Sequence, residues 1–170
     1  MVSEETLAWL IDKAIAWELM AHDLYASLSD AFRSQPGISG FWQQMSDDES
    51  GHADACRSAR RALSAGRLSE TIDRTEREHA RLVDATWAEV RERHIETLDD
   101  AYEAAHELES SEINTVFRLL TLSLFGDSAR RDMLAAQLDE HVGKLDEFGR
   151  LHDKAYRSGV QVDDAGRDAL

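Results

Sequence analysis

Residues 41–55 read FWQQMSDDESGHADA, and the fold turns on how Glu49 and His52 sit within them. A Glu and a His three apart lie one turn apart on the same face of a helix. Followed in both directions, that face collects Phe41, Met45, Glu49, His52, Cys56, Ala59 and Leu63. These are the three- and four-residue steps of a stripe turned towards a core. The pattern predicts a helix from near Ile38 to about Leu63. A carboxylate and an imidazole on such a stripe are costly to bury unless they pair with something or bind a metal. On its own the pair is weak, because helix-rich acidic chains contain many such spacings by chance. Its meaning depends on what the rest of the chain brings to it.

Three other long helices are expected. The segment from Ser3 to Phe32 carries Ile11, Ala14, Glu18, Ala21, Tyr25 and Leu28 on one stripe, with Ser3 as a candidate N-cap. RSQPGISG, residues 33–40, breaks it. A third helix starts between about 94 and 98 and continues to Phe125, with Tyr102, Ala105, Glu109, Ile113, Val116 and Leu120 in line. A fourth runs from about 129 to 157 through Leu134, Leu138, His141, Leu145, Phe148 and His152. Residues 69–93 are highly charged. Ile72, Leu82, Val83, Trp87 and Val90 give them only a thin apolar edge, so they read as a partly helical crossover on the surface.

Two pairs of helices with short turns, joined by one long connection, describe a four-helix bundle of the ferritin-like form. The expected class is all-α, with residues 1–157 forming the bundle and 158–170 a loose tail. Composition agrees, with one proline, Pro36, and no sustained alternation of apolar and polar residues. The net charge of −15 speaks against nucleic acid and suits cations. Cys56 is the single cysteine, which excludes an intrachain disulfide and a Cys-x-x-Cys metal site. The N-terminus has no long apolar run, so no signal peptide or membrane span is expected and a cytoplasmic location is the reading.

Glu18, Glu49, His52, Glu109 and His141 all lie on inward stripes near mid-helix, so an antiparallel bundle brings them to one depth. Carboxylates with imidazoles suit iron, manganese or zinc, and a carboxylate-rich mixture leans towards iron or manganese. The four Trp residues, Trp9, Trp17, Trp42 and Trp87, are expected to pack or to face a partner, His79 and His94 to lie on the surface, and Cys56 to be a buried thiol.

The pattern resembles the rubrerythrin branch of the ferritin-like di-iron carboxylate proteins over roughly residues 8–155. AIAWELMAHDLY, residues 14–25, is similar to the opening helix of that family, with a ligand Glu and a Tyr seven later at Glu18 and Tyr25. FWQQMSDDESGHADA resembles its Glu-x-x-His helix, and AAHELESSEINTVF, residues 104–117, offers Glu109 as a terminal ligand. The departure lies in the fourth helix, where LAAQLDEHVGKL, residues 134–145, has His141 but Leu138 in place of the expected Glu. Three arrangements follow. Glu112, one turn beyond Glu109, replaces the missing bridging carboxylate and two irons bind. His22 or His106 assists. Otherwise the site holds one metal, or none.

The resemblance implies iron-dependent redox chemistry, either peroxide reduction or ferrous oxidation, with Tyr25 beside the site. Peroxide or oxygen would be the oxidant, and electrons would come from a separate donor, since no rubredoxin-type module is present. The competing expectations are a non-enzymatic ferritin-like scaffold, with exposed aromatic residues marking a homodimer or partner surface, and a metal sensor with a mononuclear site.

Overall fold

The computed structural model describes residues 5–110, 141 and 143–150. The first helix, α1, spans Leu7–Ala31 and is capped by Thr6, whose side chain accepts the Trp9 backbone N–H. It thus begins four residues after Ser3, the cap expected from sequence, which lies outside the described residues. The second, α2, spans Pro36–Ala62 and places its proline in the first turn, where the missing N–H costs nothing. The link between them is short, so α1 and α2 form an antiparallel pair. They bury Leu10, Ile11, Ala14, Tyr25, Leu28, Trp42 and Met45 against one another and the rest of the core.

The crossover is more ordered and more deeply packed than its charge suggests. A single turn, α3 at Ala65–Leu68, is followed by α4 at Arg74–Glu92. Asp73 and Glu76 close a capping box at the start of α4, each side chain accepting the other residue's backbone N–H. Ala80, Val83, Trp87 and Val90 are buried on one face. Leu82, which the sequence placed on the apolar edge, points outward at 51% exposure, because it sits one residue off the Val83 stripe. Two backbone hydrogen bonds flank a bridge between Thr6 and Thr71, from Leu7 N–H to the Glu70 carbonyl at 2.9 Å and from Ile72 N–H to the Glu5 carbonyl at 3.1 Å. Asp84 on α4 also accepts the Trp17 indole N–H at 3.0 Å and pairs with Lys13 at 2.7 Å. The crossover is therefore fastened to the start and middle of α1.

The next helix, α5, spans Leu98–Ser110 and opens on a reciprocal pair. Thr97 N–H donates to the Asp100 carboxylate at 2.8 Å, and Asp100 N–H to the Thr97 hydroxyl at 3.1 Å. Its inward face is mostly small, with Ala101, Ala104 and Ala105 buried, so a neighbouring helix can approach closely. A last helical stretch, α6, is described at residues 141 and 143–150. It buries Leu145 and Phe148. At Gly149 a Cβ would stand 2.8 Å from the Tyr102 ring, so the absence of a side chain there sets how near α6 lies to α5.

The described residues are all-α, with no strand beyond the isolated Thr6–Thr71 bridge. The expected continuation of the third helix to Phe125, the turn after it, the start of the fourth helix, Glu112, Leu138, His152 and the tail at 158–170 lie outside the described residues. No helix among the described residues is long and apolar enough to cross a membrane.

Candidate metal centre

Glu18 comes from α1, Glu49 and His52 from α2, Glu109 from the end of α5 and His141 from α6. All five are buried. The apolar stripes on which they lie carry them inward, and the antiparallel packing brings them together.

Glu49 is at the centre. Its Oε2 lies 3.1 Å from His52 Nδ1, and its Oε1 lies 3.1 Å from His141 Nδ1. Behind each imidazole stands one further carboxylate. Glu18 Oε2 is 3.6 Å from His52 Nδ1, and Glu109 Oε2 is 3.6 Å from His141 Nδ1. The cluster is thus two Glu–His halves joined through one shared carboxylate. Ligand atoms of Glu49, His52 and His141 all fall within 4.8 Å of one another. The two imidazole rings are 4.9 Å apart, centre to centre.

Charge is redistributed by this packing. Burial pushes the Glu18 carboxyl well above its ordinary range, and the neighbouring Glu49 adds to the effect. Burial alone would raise Glu49 as well, but hydrogen bonds from Glu18, His141 and His52 outweigh it and hold that carboxyl well below the usual range. Burial raises Glu109 too, against the pull of His141. For the histidines burial acts downward, yet the carboxylates win. Glu18 and Glu49 raise His52 to about 10, and Glu109 and Glu49 raise His141 to about 10. Without a metal, the cluster holds its positive charge as protons on two imidazoles.

Tyr25 is fully buried beside the second half, and its hydroxyl donates to Glu109 Oε1 at 2.7 Å. Burial and the nearby carboxylates raise its phenol well above the ordinary value, so it stays a neutral donor. Its ring stacks on Trp42, with centroids 5.8 Å apart. Phe41 and Phe148 continue the aromatic contact outward, their own centroids 4.0 Å apart.

The two auxiliary histidines are engaged elsewhere. His22 Nδ1 lies 2.8 Å from the Ser46 hydroxyl, and that hydroxyl donates to the His22 carbonyl at 3.0 Å, a contact that ties α1 to α2. His106 is half-buried and faces Asp146 at 3.7 Å. Each is thus paired with a residue outside the five-residue cluster. His94 pairs with Glu96 at the surface, whereas His79 is half-buried. Cys56 is a buried free thiol, raised by burial and so unreactive as a nucleophile. Trp17, Trp42 and Trp87 are buried, and Trp9 is half-buried against the core.

One contact at the rim of the cluster escaped the sequence reading. Asp48 Oδ2 lies 3.4 Å from His141 Nε2 and 2.9 Å from Lys144 Nζ. Its place next to Glu49 was the available signal, since adjacent helix positions diverge by only about 100° and both reach the same neighbouring helix.

A family model described as rubrerythrin matches residues 10–124. Among solved structures, the chain is similar to a protein from Thermotoga maritima described as ferritin-like and diiron-carboxylate. The TM-score is 0.63 at 19% identity, covering 86% of this chain and 96% of that one. No curated protein matches the sequence.

Proposed function

The chain belongs to the rubrerythrin family, and we propose that Glu18, Glu49, His52, Glu109 and His141 hold a non-haem iron centre for redox chemistry. The observation that carries this reading is the position of Glu49. One carboxylate that presents a separate oxygen to each of two histidines, each backed by its own glutamate, has the donor arrangement of a bridged two-metal site. The donor set fits the group, since three carboxylates and two imidazoles suit iron, with manganese or zinc as competitors. Glu112, one turn beyond Glu109 in sequence, is the proposed second bridging carboxylate in place of the residue that Leu138 displaces.

Bound iron would supply the electron-transfer chemistry, with reduction of peroxide, or oxidation of ferrous iron by oxygen, as the reaction class. The chain does the rest. Glu49 fixes the two halves relative to each other. The Tyr25 hydroxyl, 2.7 Å from Glu109 Oε1, donates its proton to that oxygen and leaves Oε2 facing His141. Packing of Trp42, Phe41 and Phe148 around this end excludes water. Electrons would come from a donor outside these 170 residues, whose single cysteine, Cys56, cannot build a rubredoxin-type centre. Tyr25 is the proposed catalytic residue, as the hydrogen-bond donor beside the reacting groups.

A second reading, a metal-free scaffold or a mononuclear sensor, is favoured by Leu138 and by the way the five side chains already pair with one another. The deciding experiment is metal analysis of protein purified without added metal, beside Glu49→Ala and His141→Ala variants. Two irons per chain, lost on either substitution, support the first reading. Failure of the wild-type chain to take up ferrous iron on loading leaves the scaffold.

A further inference from the structure

A column of aromatic rings runs from the cluster to the surface between α2 and α6. Its inner end is the Tyr25 hydroxyl, bonded to Glu109 Oε1. The Tyr25 ring stacks on Trp42 at 5.8 Å between centroids, with the two planes only 20° apart. Trp42 in turn meets Phe41 and Phe148 edge to face, at 4.9 and 5.6 Å. Those two phenylalanines line a surface cavity of about 180 Å³, together with Gln44, Met45, Lys144 and Glu147. Trp42 is therefore one ring away from an open face on one side and one ring away from Glu109 on the other. It is completely buried, yet its indole N–H meets no hydrogen-bond partner among the described residues. A buried donor left unpaired costs stability, and a phenylalanine would fill most of the same space without one. Packing alone thus favours another residue here. What tryptophan offers and phenylalanine does not is a ring that gives up an electron.

The proposed redox reaction needs electrons from outside the chain, and electron transfer weakens steeply with distance. Two short steps between oxidisable rings serve a buried centre faster than one long step. We propose that Trp42 is an electron relay: an external one-electron carrier gives its electron to Trp42 at the α2–α6 face, and Trp42 passes it through Tyr25 to the metal position. This rests on the metal-site reading above and supplies the route that such a site requires. The steps balance. Tyr25 yields one electron inward while its phenol proton moves to Glu109 Oε1. Trp42 then yields one electron to Tyr25, and the proton returns from Glu109. With no acceptor at its indole nitrogen, Trp42 keeps its own proton and stands as a radical cation until the carrier's electron restores it. One electron crosses per cycle, and no proton is released. Phe41 and Phe148 are not oxidised in this scheme; they exclude water and set the carrier's side of the column one ring from Trp42.

The test uses the full-length, metal-free chain with a photo-oxidant at the cavity mouth. A ruthenium polypyridyl label is attached through Gln44→Cys, an exposed position, while the buried Cys56 thiol stays unlabelled. After a flash and a quencher, the oxidised label should take an electron from Trp42, and Trp42 from Tyr25. Transient absorption should show a tryptophan radical that gives way to a tyrosine radical. Trp42→Phe should lose both signals. Trp42→Tyr, which keeps an oxidisable ring, should restore transfer, and thermal unfolding of both variants shows whether each is folded. Tyr25→Phe should stop the sequence at the tryptophan radical. Trp17→Phe, which alters a buried tryptophan of α1 bonded to Asp84, should change neither signal, nor should Tyr102→Phe. A tyrosine radical formed equally well in folded Trp42→Phe overturns the proposal, as does a labelled parent chain in which no tryptophan radical forms. The assay contains no metal, so either result leaves the metal-site reading to the iron analysis above.

Discussion

Glu49 Oε1 lies 3.1 Å from His141 Nδ1, a contact that spans the two halves of the bundle. The other oxygen of the same carboxylate serves His52 within its own helix at the same distance. Glu49 is therefore common to both halves, while Glu18 and Glu109 each belong to one.

That inequality predicts unequal losses. Glu49→Ala should abolish iron uptake at both positions. Glu18→Ala should spare the half built on His141, and Glu109→Ala the half built on His52. Metal content after loading and desalting reads this directly. Equal retention in all three variants would show that Glu49 does not bridge. Combining Glu18→Ala with Glu49→Ala should add little to Glu49→Ala alone, because the two share one ligand set.

Metal loading should release protons. His52 and His141 are raised to about 10 in the metal-free protein, so both imidazoles are charged near neutrality, and a metal must displace those protons. Protons should therefore appear in an unbuffered zinc titration at pH 7, and affinity should rise with pH up to about 10. A pH-stat trace with no base consumption contradicts this.

The same shifts set the pH dependence of the metal-free fold. A group raised on folding binds its proton more tightly in the native state, so its contribution is complete below the unfolded value and lost as pH rises through the folded one. For the histidines the window is from about 6.5 to about 10. Raised Glu18 and Glu109 act in the same direction. Metal-free protein should thus lose denaturant resistance steadily across this range. A midpoint that rises with pH there would refute the proton assignment.

Glu18→Gln should separate stability from binding. The amide keeps the shape of the carboxyl but carries no charge for burial to oppose. Metal-free Tm should stay the same or rise, while the increase in Tm that zinc gives wild-type protein shrinks. A large fall in metal-free Tm would mean that the charge of Glu18 supports the fold.

Tyr25→Phe removes the donor to Glu109 Oε1, and the loss of that buried hydrogen bond should cost about 0.5–1.5 kcal/mol in chemical denaturation. If Tyr25 acts in turnover, peroxide consumption by iron-loaded protein should fall by more than iron content does. Parallel losses would reduce Tyr25 to a structural partner.

Much of this was visible in the sequence because burial and helical period are local. Glu18, Glu49, His52, Glu109 and His141 betrayed themselves as polar residues on apolar stripes, and the structure brings all five together. Leu82 misled because it directly precedes Val83, and one residue on a helix decides which side faces the core. Asp48 was missed for a different reason. Its partners His141 and Lys144 lie on another helix, and no periodicity within α2 reports a contact across the bundle. The depth of Trp87 and the Asp84 bond to Trp17 were hidden in the same way, behind the charge of the crossover.

The chain order of the five side chains has a consequence in time. Glu18, Glu49 and His52 all belong to the α1–α2 hairpin, whose contacts are local and form early. Glu109 and His141 arrive only after the crossover has been synthesised and fastened to α1. A growing chain therefore carries Glu18, Glu49 and His52 on one hairpin before Glu109 and His141 have been made.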